Sequence, residues 1–324
     1  MNSSEFYESL KGKGIIVFSD PSAAKTCLSL AKICSFSNRE CTFQIFSNKI
    51  YSFYEDWNLD IKIVEDFNEI SFDKVDWVFS GTSHPDSSLC FENSIVKFAI
   101  YKNIKTFAFV DQWKNVNIRF NFDNELVFPD LILVPDEYSK IKLIEQNLEN
   151  EKIQVLKNPY LYYIEKFWKI NKTKEELIQF LNLTDKSKKI IVYAPDPFTL
   201  RGQDLVFGFD EFSVLNELIE IINSNEFFLV VKLHPLQPQK NKFTEMIESN
   251  KNIFVDINNL LENLEISFYS SHIIGFYSNF LLEANQIAKS VIRYFPKNSN
   301  LDIFDHLNFG KKICSFEELV DAIH

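Results

Sequence analysis

Phe227-Phe228-Leu229-Val230-Val231-Lys232-Leu233-His234-Pro235 is an apolar run of strand length that stops at a His-Pro pair. Branched and aromatic side chains follow one another without polar alternation, the pattern of a strand buried on both faces in a parallel sheet. Proline has no N–H to give to a ladder, so the strand ends there and its carboxyl end delivers His234 into a loop. In open α/β sheets ligands bind at that end. Further along, a second apolar strand ends in Gly275-Phe276-Tyr277-Ser278-Asn279-Phe280 and turns directly into a helix.

The chain on either side repeats this arrangement. In the first half strands are expected at 14–18, 41–46, 75–79, 105–110 and 130–134, separated by helices at 23–36, 85–101 and 137–146. Ser19-Asp20-Pro21 supplies a capping residue and a proline at the first helical position. Lys157-Asn158-Pro159 interrupts the alternation, which resumes with the strand from Lys189 to Ala194. Regular alternation of strand and helix implies parallel sheets covered on both faces. The expected organisation is a Rossmann-like domain over 1–157, linking helices over 158–188, and a second Rossmann-like domain over 189–324, facing the first across a cleft. One large doubly wound sheet is the alternative.

With 324 residues the chain can bury two cores of ordinary size. Its formal net charge of −11 argues against a protein that coats nucleic acid, though it leaves room for a local basic pocket. The cysteines Cys27, Cys34, Cys41, Cys90 and Cys314 are odd in number and form no CxxC pair, which points away from disulfides and zinc and toward a reducing cytosol. The N-terminus carries no leader pattern, and no apolar run reaches the roughly 18 residues of a membrane span. A cytoplasmic location is expected. The aromatic and basic stretch from Tyr160 to Lys174 reads first as a solvated inter-domain helix and second as a peripheral membrane contact.

Several strand ends carry candidate chemistry. Lys232 and His234 lie two residues apart, so on a strand they share a face and offer two cations to a phosphate or carboxylate. Ser278 is a natural N-cap, and the helix after it presents free N–H groups and a positive dipole end to an anion. Gly275 would let backbone approach a ligand, and Glu283 would accept a ribose or base hydrogen bond. Tyr193-Ala194-Pro195-Asp196 opens a further loop, with Arg201 as a guanidinium for phosphate. On this reading His234 and the Ser278 turn hold the phosphate-bearing end of an activated sugar. In the first half, Ser80-Gly81-Thr82-Ser83-His84-Pro85 is a small-residue loop that matches neither GxGxxG nor a Walker A motif. Asp111 follows a strand and precedes Trp113; it is placed as a general base toward an acceptor hydroxyl, with Trp113 as a sugar platform and Arg119 nearby. Each of these residues also has a purely structural reading, as cap, turn or core. GxSxG, HExxH and kinase motifs are absent, and Asp196 stands alone where a metal-binding DxD pair would be, so no cofactor and no essential metal are expected.

Val231-Lys232-Leu233-His234-Pro235 followed by Tyr277-Ser278-Asn279 resembles the His-Pro-motif group of GT-B-fold glycosyltransferases. That group includes bacterial sialyltransferases and polysialyltransferases, Kdo-type capsule transferases and teichoic-acid glycerophosphotransferases. Tyr193-Ala194-Pro195 is similar to a Tyr-Ala-Pro-Thr loop of the last of these, with Asp196 in place of threonine, and Ser278-Asn279 stands where a double serine is usual. The resemblance covers residues 189–295. It implies donor-phosphate contacts for His234 and Ser278, with Pro235 and Tyr277 beside them on the donor side, and a base in the N-terminal half, for which Asp111 is the choice here. It also implies a metal-independent, inverting transfer from a nucleotide-sugar, a CMP-linked nonulosonic acid being favoured, to a surface-glycan, capsule or lipopolysaccharide acceptor, free or lipid-linked. CDP-polyol phosphotransfer, sugar-nucleotide 2-epimerisation and non-catalytic nucleotide-sugar binding are the alternatives.

Overall fold

The computed structural model describes every residue except 1, 38–39, 84–88, 115, 123–124, 223–225, 235–236, 238–239, 248–249, 277, 289 and 298–301. Pro235, Tyr277 and the His84-Pro85 end of the first-half loop therefore lie outside the described residues. The chain divides into two compact units, Met1–Phe167 and Trp168–His324.

The first unit contains strands β1 (Gly12–Phe18), β2 (Cys41–Ser47), β3 (Ile61–Ile63), β4 (Trp77–Ser80) and β5 (Lys105–Phe109), a small antiparallel pair β6 (Asn121–Phe122) and β7 (Glu125–Leu126), then β8 (Leu131–Val134) and β9 (Ile153–Val155). Its helices are α1 (Ser3–Ser9), α2 (Pro21–Ser37), α3 (Leu89–Tyr101), α4 (Val116–Arg119), α5 (Glu137–Glu145) and α6 (Pro159–Lys166). Seven strands form one parallel sheet in the order β3-β2-β1-β4-β5-β8-β9.

The second unit runs α7 (Lys174–Phe180), β10 (Lys189–Ala194), α8 (Asp204–Phe207), α9 (Glu211–Ile222), β11 (Phe227–Lys232), α10 (Lys240–Ile247), β12 (Ile253–Asp256), α11 (Asn263–Tyr269), β13 (His272–Gly275), α12 (Asn279–Ala284), β14 (Val291–Tyr294), β15 (Lys311–Ile313) and α13 (Phe316–Ile323). Its sheet is also parallel, in the order β12-β11-β10-β13-β14-β15. Each unit thus has one place where strand order reverses, between β1 and β4 and between β10 and β13, and at such a point the loops leaving neighbouring strands open a crevice.

The unbroken apolar strands are explained by burial on both faces. Ile191, Tyr193, Leu229 and Val231 pack with α9 residues Phe212, Leu215 and Leu218, whereas Ile190, Val192, Phe228 and Val230 pack with Leu177, Ile178, Ile266 and Leu281. Each such side chain contributes roughly 1.5–3 kcal/mol by leaving water. Helix starts follow local chemistry. Asp136 accepts from Ser139 N–H at the head of α5, and Thr173 and Glu176 form a reciprocal capping box on α7. Helix α1, which the sequence reading omits, is set by the same device between Asn2 and Glu5, and it buries Phe6 and Tyr7.

The stretch expected as a linker is absorbed by the two units. Tyr162, Tyr163 and Phe167 pack on the first unit's core against α2, while Trp168 lies 6.1 Å from Phe268 and α7 adds Leu177 and Ile178 to the second core. Its aromatic content is thereby accounted for by packing. No helix of the described residues is long and apolar enough to cross a membrane.

Gly14 pairs with Trp77 across β1 and β4, and a Cβ at Gly14 would fall 2.1 Å from the indole. Gly14→Ala is expected to cost about 1–3 kcal/mol, as overpacking does. It should appear as a lower urea midpoint with an unchanged slope.

Candidate functional site

In the second unit, Tyr193 is in register with Val231 on one side and Ile274 on the other, so the loops leaving β10, β11 and β13 emerge together. They carry Pro195, Asp196 and Arg201, then His234, then Ser278 and Asn279. His234 is half-buried. Its imidazole is held below the usual 6.5, first by burial and then by the Arg201 guanidinium, so the fold brings these two residues near each other. At neutral pH the ring is uncharged and offers one donor and one acceptor nitrogen. Arg201 is exposed and supplies the charge.

The expected partnership of Lys232 with His234 is corrected. The Lys232 ammonium is buried, 3.1 Å from an Asp256 carboxylate oxygen, and donates to the Leu261 carbonyl at 2.6 Å. Asp256 in turn accepts the N–H groups of Leu260 and Leu261. Lys232 thus pins the chain after β12 and is spent within the fold. Tyr193 is fully buried and donates its hydroxyl to the Glu211 carbonyl at 2.8 Å, which makes it core and not a donor contact. Gly275 has a structural cause: a Cβ there would meet the Ala194 carbonyl oxygen at 2.9 Å. Glu283 is buried and accepts from the Asn263 amide at 3.3 Å, so it faces α11 instead of an open ribose site.

Ser278 keeps its N-cap position ahead of α12, but its side chain makes no capping bond, and among the described residues its buried hydroxyl has no hydrogen-bond partner. The helix is six residues long, shorter than expected, so the dipole argument for an anion fails and the unmatched hydroxyl is what remains. Asn279 is exposed beside it, and Pro195 is buried in its loop.

The first unit assembles a different network at the ends of β1, β4 and β5. Ser83 is its hub. The Ser83 hydroxyl accepts from the N–H groups of Ser19 and Asp20 at 3.0 and 2.9 Å and donates to Glu92 at 2.9 Å, while its own N–H donates to the other Glu92 oxygen at 2.7 Å. Glu92, in the first turn of α3, is missed by sequence reading because a glutamate there resembles ordinary helix-end chemistry. Burial pushes its carboxyl up to about 8, with Asp20 adding to the rise; the Ser83 bonds and Arg119 oppose it without prevailing.

Thr82, in the left-handed region at φ 49°, donates its hydroxyl to the Phe109 carbonyl, and Arg119 donates to the Thr82 carbonyl. The same guanidinium lies 3.2 Å from Asp111, whose other oxygen accepts from the Ser22 hydroxyl at 2.8 Å. Arg119 is therefore engaged inside the loop cluster, while Asp111 remains 18% exposed. Ser80 is buried, and Gly81 makes room for α2, since a Cβ would meet that of Ala23 at 2.6 Å. Trp113 packs edge-on against Tyr138 at 5.0 Å and on the core beside β8, which favours its structural reading.

Two consequences can be measured. Lys232→Met should destabilise the protein by about 3 kcal/mol, because it leaves Asp256 buried without its cation, yet the folded protein should bind nucleotide within about threefold of wild type. For Glu92, the folded value lies above the unfolded one of 4.5, so its stabilising share is complete at low pH and is lost as pH rises from about 4.5 to about 8. Unfolding free energies from urea titrations at pH 5, 7 and 9 should fall more steeply for wild type than for Glu92→Gln, by on the order of 3 kcal/mol across the window.

Residues 199–291 match the family model for alpha-2,8-polysialyltransferase (POLYST). No curated protein matches the chain significantly. Among solved structures, a Listeria monocytogenes protein assigned as a UDP-N-acetylglucosamine 2-epimerase is similar over 96% of this chain and 86% of its own, with a TM-score of 0.66 at 13% identity. The UDP-GlcNAc 2-epimerase of Methanocaldococcus jannaschii, in complex with UDP-GlcNAc and UDP, is similar over 96% of this chain and 91% of its own, with a TM-score of 0.60 at 16% identity. That of Neisseria meningitidis, bound to UDP-GlcNAc, is similar over 96% and 90%, with a TM-score of 0.61 at 14% identity. Likeness at these identities shows the fold, an α/β arrangement of the GT-B-like kind.

Proposed function

We propose that the protein is a metal-independent, inverting glycosyltransferase that uses a nucleotide-sugar, with a CMP-linked nonulosonic acid as the favoured donor and a surface glycan as acceptor. One observation carries this reading: the segment matching the polysialyltransferase model, 199–291, is the one that supplies Arg201, His234 and Ser278 to a single strand edge. As the glycosyl–oxygen bond to the phosphate breaks, negative charge collects on the leaving phosphate. The Arg201 charge, a His234 ring N–H and the Ser278 hydroxyl meet it, a preorganised arrangement that acts where charge develops. The acceptor hydroxyl forms the new glycosidic bond and gives its proton to Asp111, which Ser22 and Arg119 hold in place.

The first unit's strand edge suits a hydroxyl-rich acceptor. Among the described residues, Ser19 Oγ, Asn48 Oδ1 and Arg119 Nε are buried there without hydrogen-bond partners. Such atoms are costly to leave unmatched, and a sugar's hydroxyls would match them.

A second reading, sugar-nucleotide 2-epimerisation, is favoured by the 2-epimerases among the similar folds. Mass spectrometry and NMR of the products formed from CMP-, UDP- and GDP-sugars, with and without saccharide acceptors, separate the two. The expected product is an acceptor heavier by one sugar residue, with nucleotide released, and His234→Ala should slow transfer by about 100-fold or more. Inversion at C2 of the donor without acceptor and without a change of mass would establish the epimerase instead. An Asp111→Asn variant that transfers normally would remove Asp111 as the base.

A further inference from the structure

The loop after β10, which carries Arg201, and the loop after β11, which carries His234, meet at a carboxylate that lies behind both. Glu211, the first residue of α9, is fully buried. One of its oxygens accepts from the Thr199 hydroxyl at 2.7 Å and from the Gln237 amide at 3.1 Å, and the other accepts from the Thr199 N–H at 3.2 Å. Thr199 opens the short helical turn that ends in Arg201, whose own N–H donates to the Phe198 carbonyl at 3.1 Å. On the other side, the Gln237 N–H donates to the His234 carbonyl at 2.9 Å, and Gln237 is itself buried.

We infer that Glu211 is a positioning residue: with Thr199 and Gln237 it latches the β10 loop to the β11 loop and thereby fixes Arg201 beside His234 as one anion-binding pair. The helix does not need the Glu211 side chain, because Asp210 already caps α9 by accepting from Phe212 and Ser213 at 3.0 and 2.6 Å. Nor does the core need it, since an apolar residue of similar volume fills such a place at less cost than a buried charge. What the carboxylate adds is direction. It accepts three hydrogen bonds from two loops at once, and among the described residues neither loop has strand pairing of its own beyond Ala194 or Lys232. A bound anion then meets a preset pair and does not have to order two free loops.

The identification of that anion as a donor phosphate rests on the proposed function; the latch itself does not. Two variants test it. Gln237→Ala cuts the link to the β11 loop and leaves both Thr199 bonds, and Glu211→Gln keeps the volume while removing at least one acceptor. His234 would be titrated by NMR, its signal assigned by its loss in His234→Ala, and affinity for CMP and UDP measured by calorimetry. In wild type the ring should titrate below 6.5. In either variant it should move up toward 6.5 as the loops part, with nucleotide affinity at least about tenfold weaker. Folded variants that keep both the wild-type His234 titration and an affinity within twofold would overturn the latch. If wild type binds neither nucleotide nor their sugars, the donor reading fails, while an upward move of His234 in the variants would still support the latch.

Discussion

Parallel pairing of β10 with both β11 and β13 is the constraint on which the second unit depends. Because Tyr193 is level with Val231 and with Ile274, three loops from distant parts of the chain leave the sheet at one height. A slip of one residue would turn every side chain of β11 to the opposite face, moving Leu229 and Val231 out of one core and Phe228 and Val230 out of the other. The register therefore cannot drift without dismantling both hydrophobic layers. Gly275 belongs to this constraint, since any side chain there would press on the Ala194 carbonyl.

Parallel strands bring loops together but do not fix them, and both units solve that with a buried glutamate. In the first, Glu92 holds Ser83, which gathers the N–H groups of Ser19 and Asp20. In the second, Glu211 holds Thr199 and Gln237. A carboxylate offers several acceptor sites in a small volume, which suits loops whose backbone donors have no ladder to join. The two differ in their neighbours: Glu92 sits near Asp20, which adds to the penalty of burial and raises its carboxyl toward neutrality.

Much of this was legible along the chain, and the rest fails to show for a physical reason. The Phe227–Val231 run announces a strand covered on both faces because that environment rejects polar side chains at every position. His234 and Ser278 are legible as strand-end residues because proline and capping chemistry act over a few residues. Lys232 misleads because its partner, Asp256, lies on the next strand, and only the register of β11 with β12 puts Lys232 level with it. Tyr193 misleads likewise: a loop-edge tyrosine and a core tyrosine look alike until Glu211 is placed over its hydroxyl. The Glu211 and Gln237 pairing leaves no local signal, since neither residue is unusual for its own element.

The boundaries of the family likeness bear on how the two units are to be read. The matched segment begins at Thr199 and ends in β14, so it contains Arg201, Glu211, His234, Gln237 and Ser278 and none of the first unit. Similarity of sequence to that family thus lies wholly in the second unit, over the stretch that carries these loops. Asp111, Arg119 and Glu92 have no such support, and their assignment stands on burial, hydrogen bonds and unmatched polar atoms alone. The proposed transfer would account for this division. A phosphate presents the same charge and oxygens whatever sugar it carries, so one set of side chains serves many donors; an acceptor presents a pattern of hydroxyls that changes with every glycan, and the residues that meet it change as well.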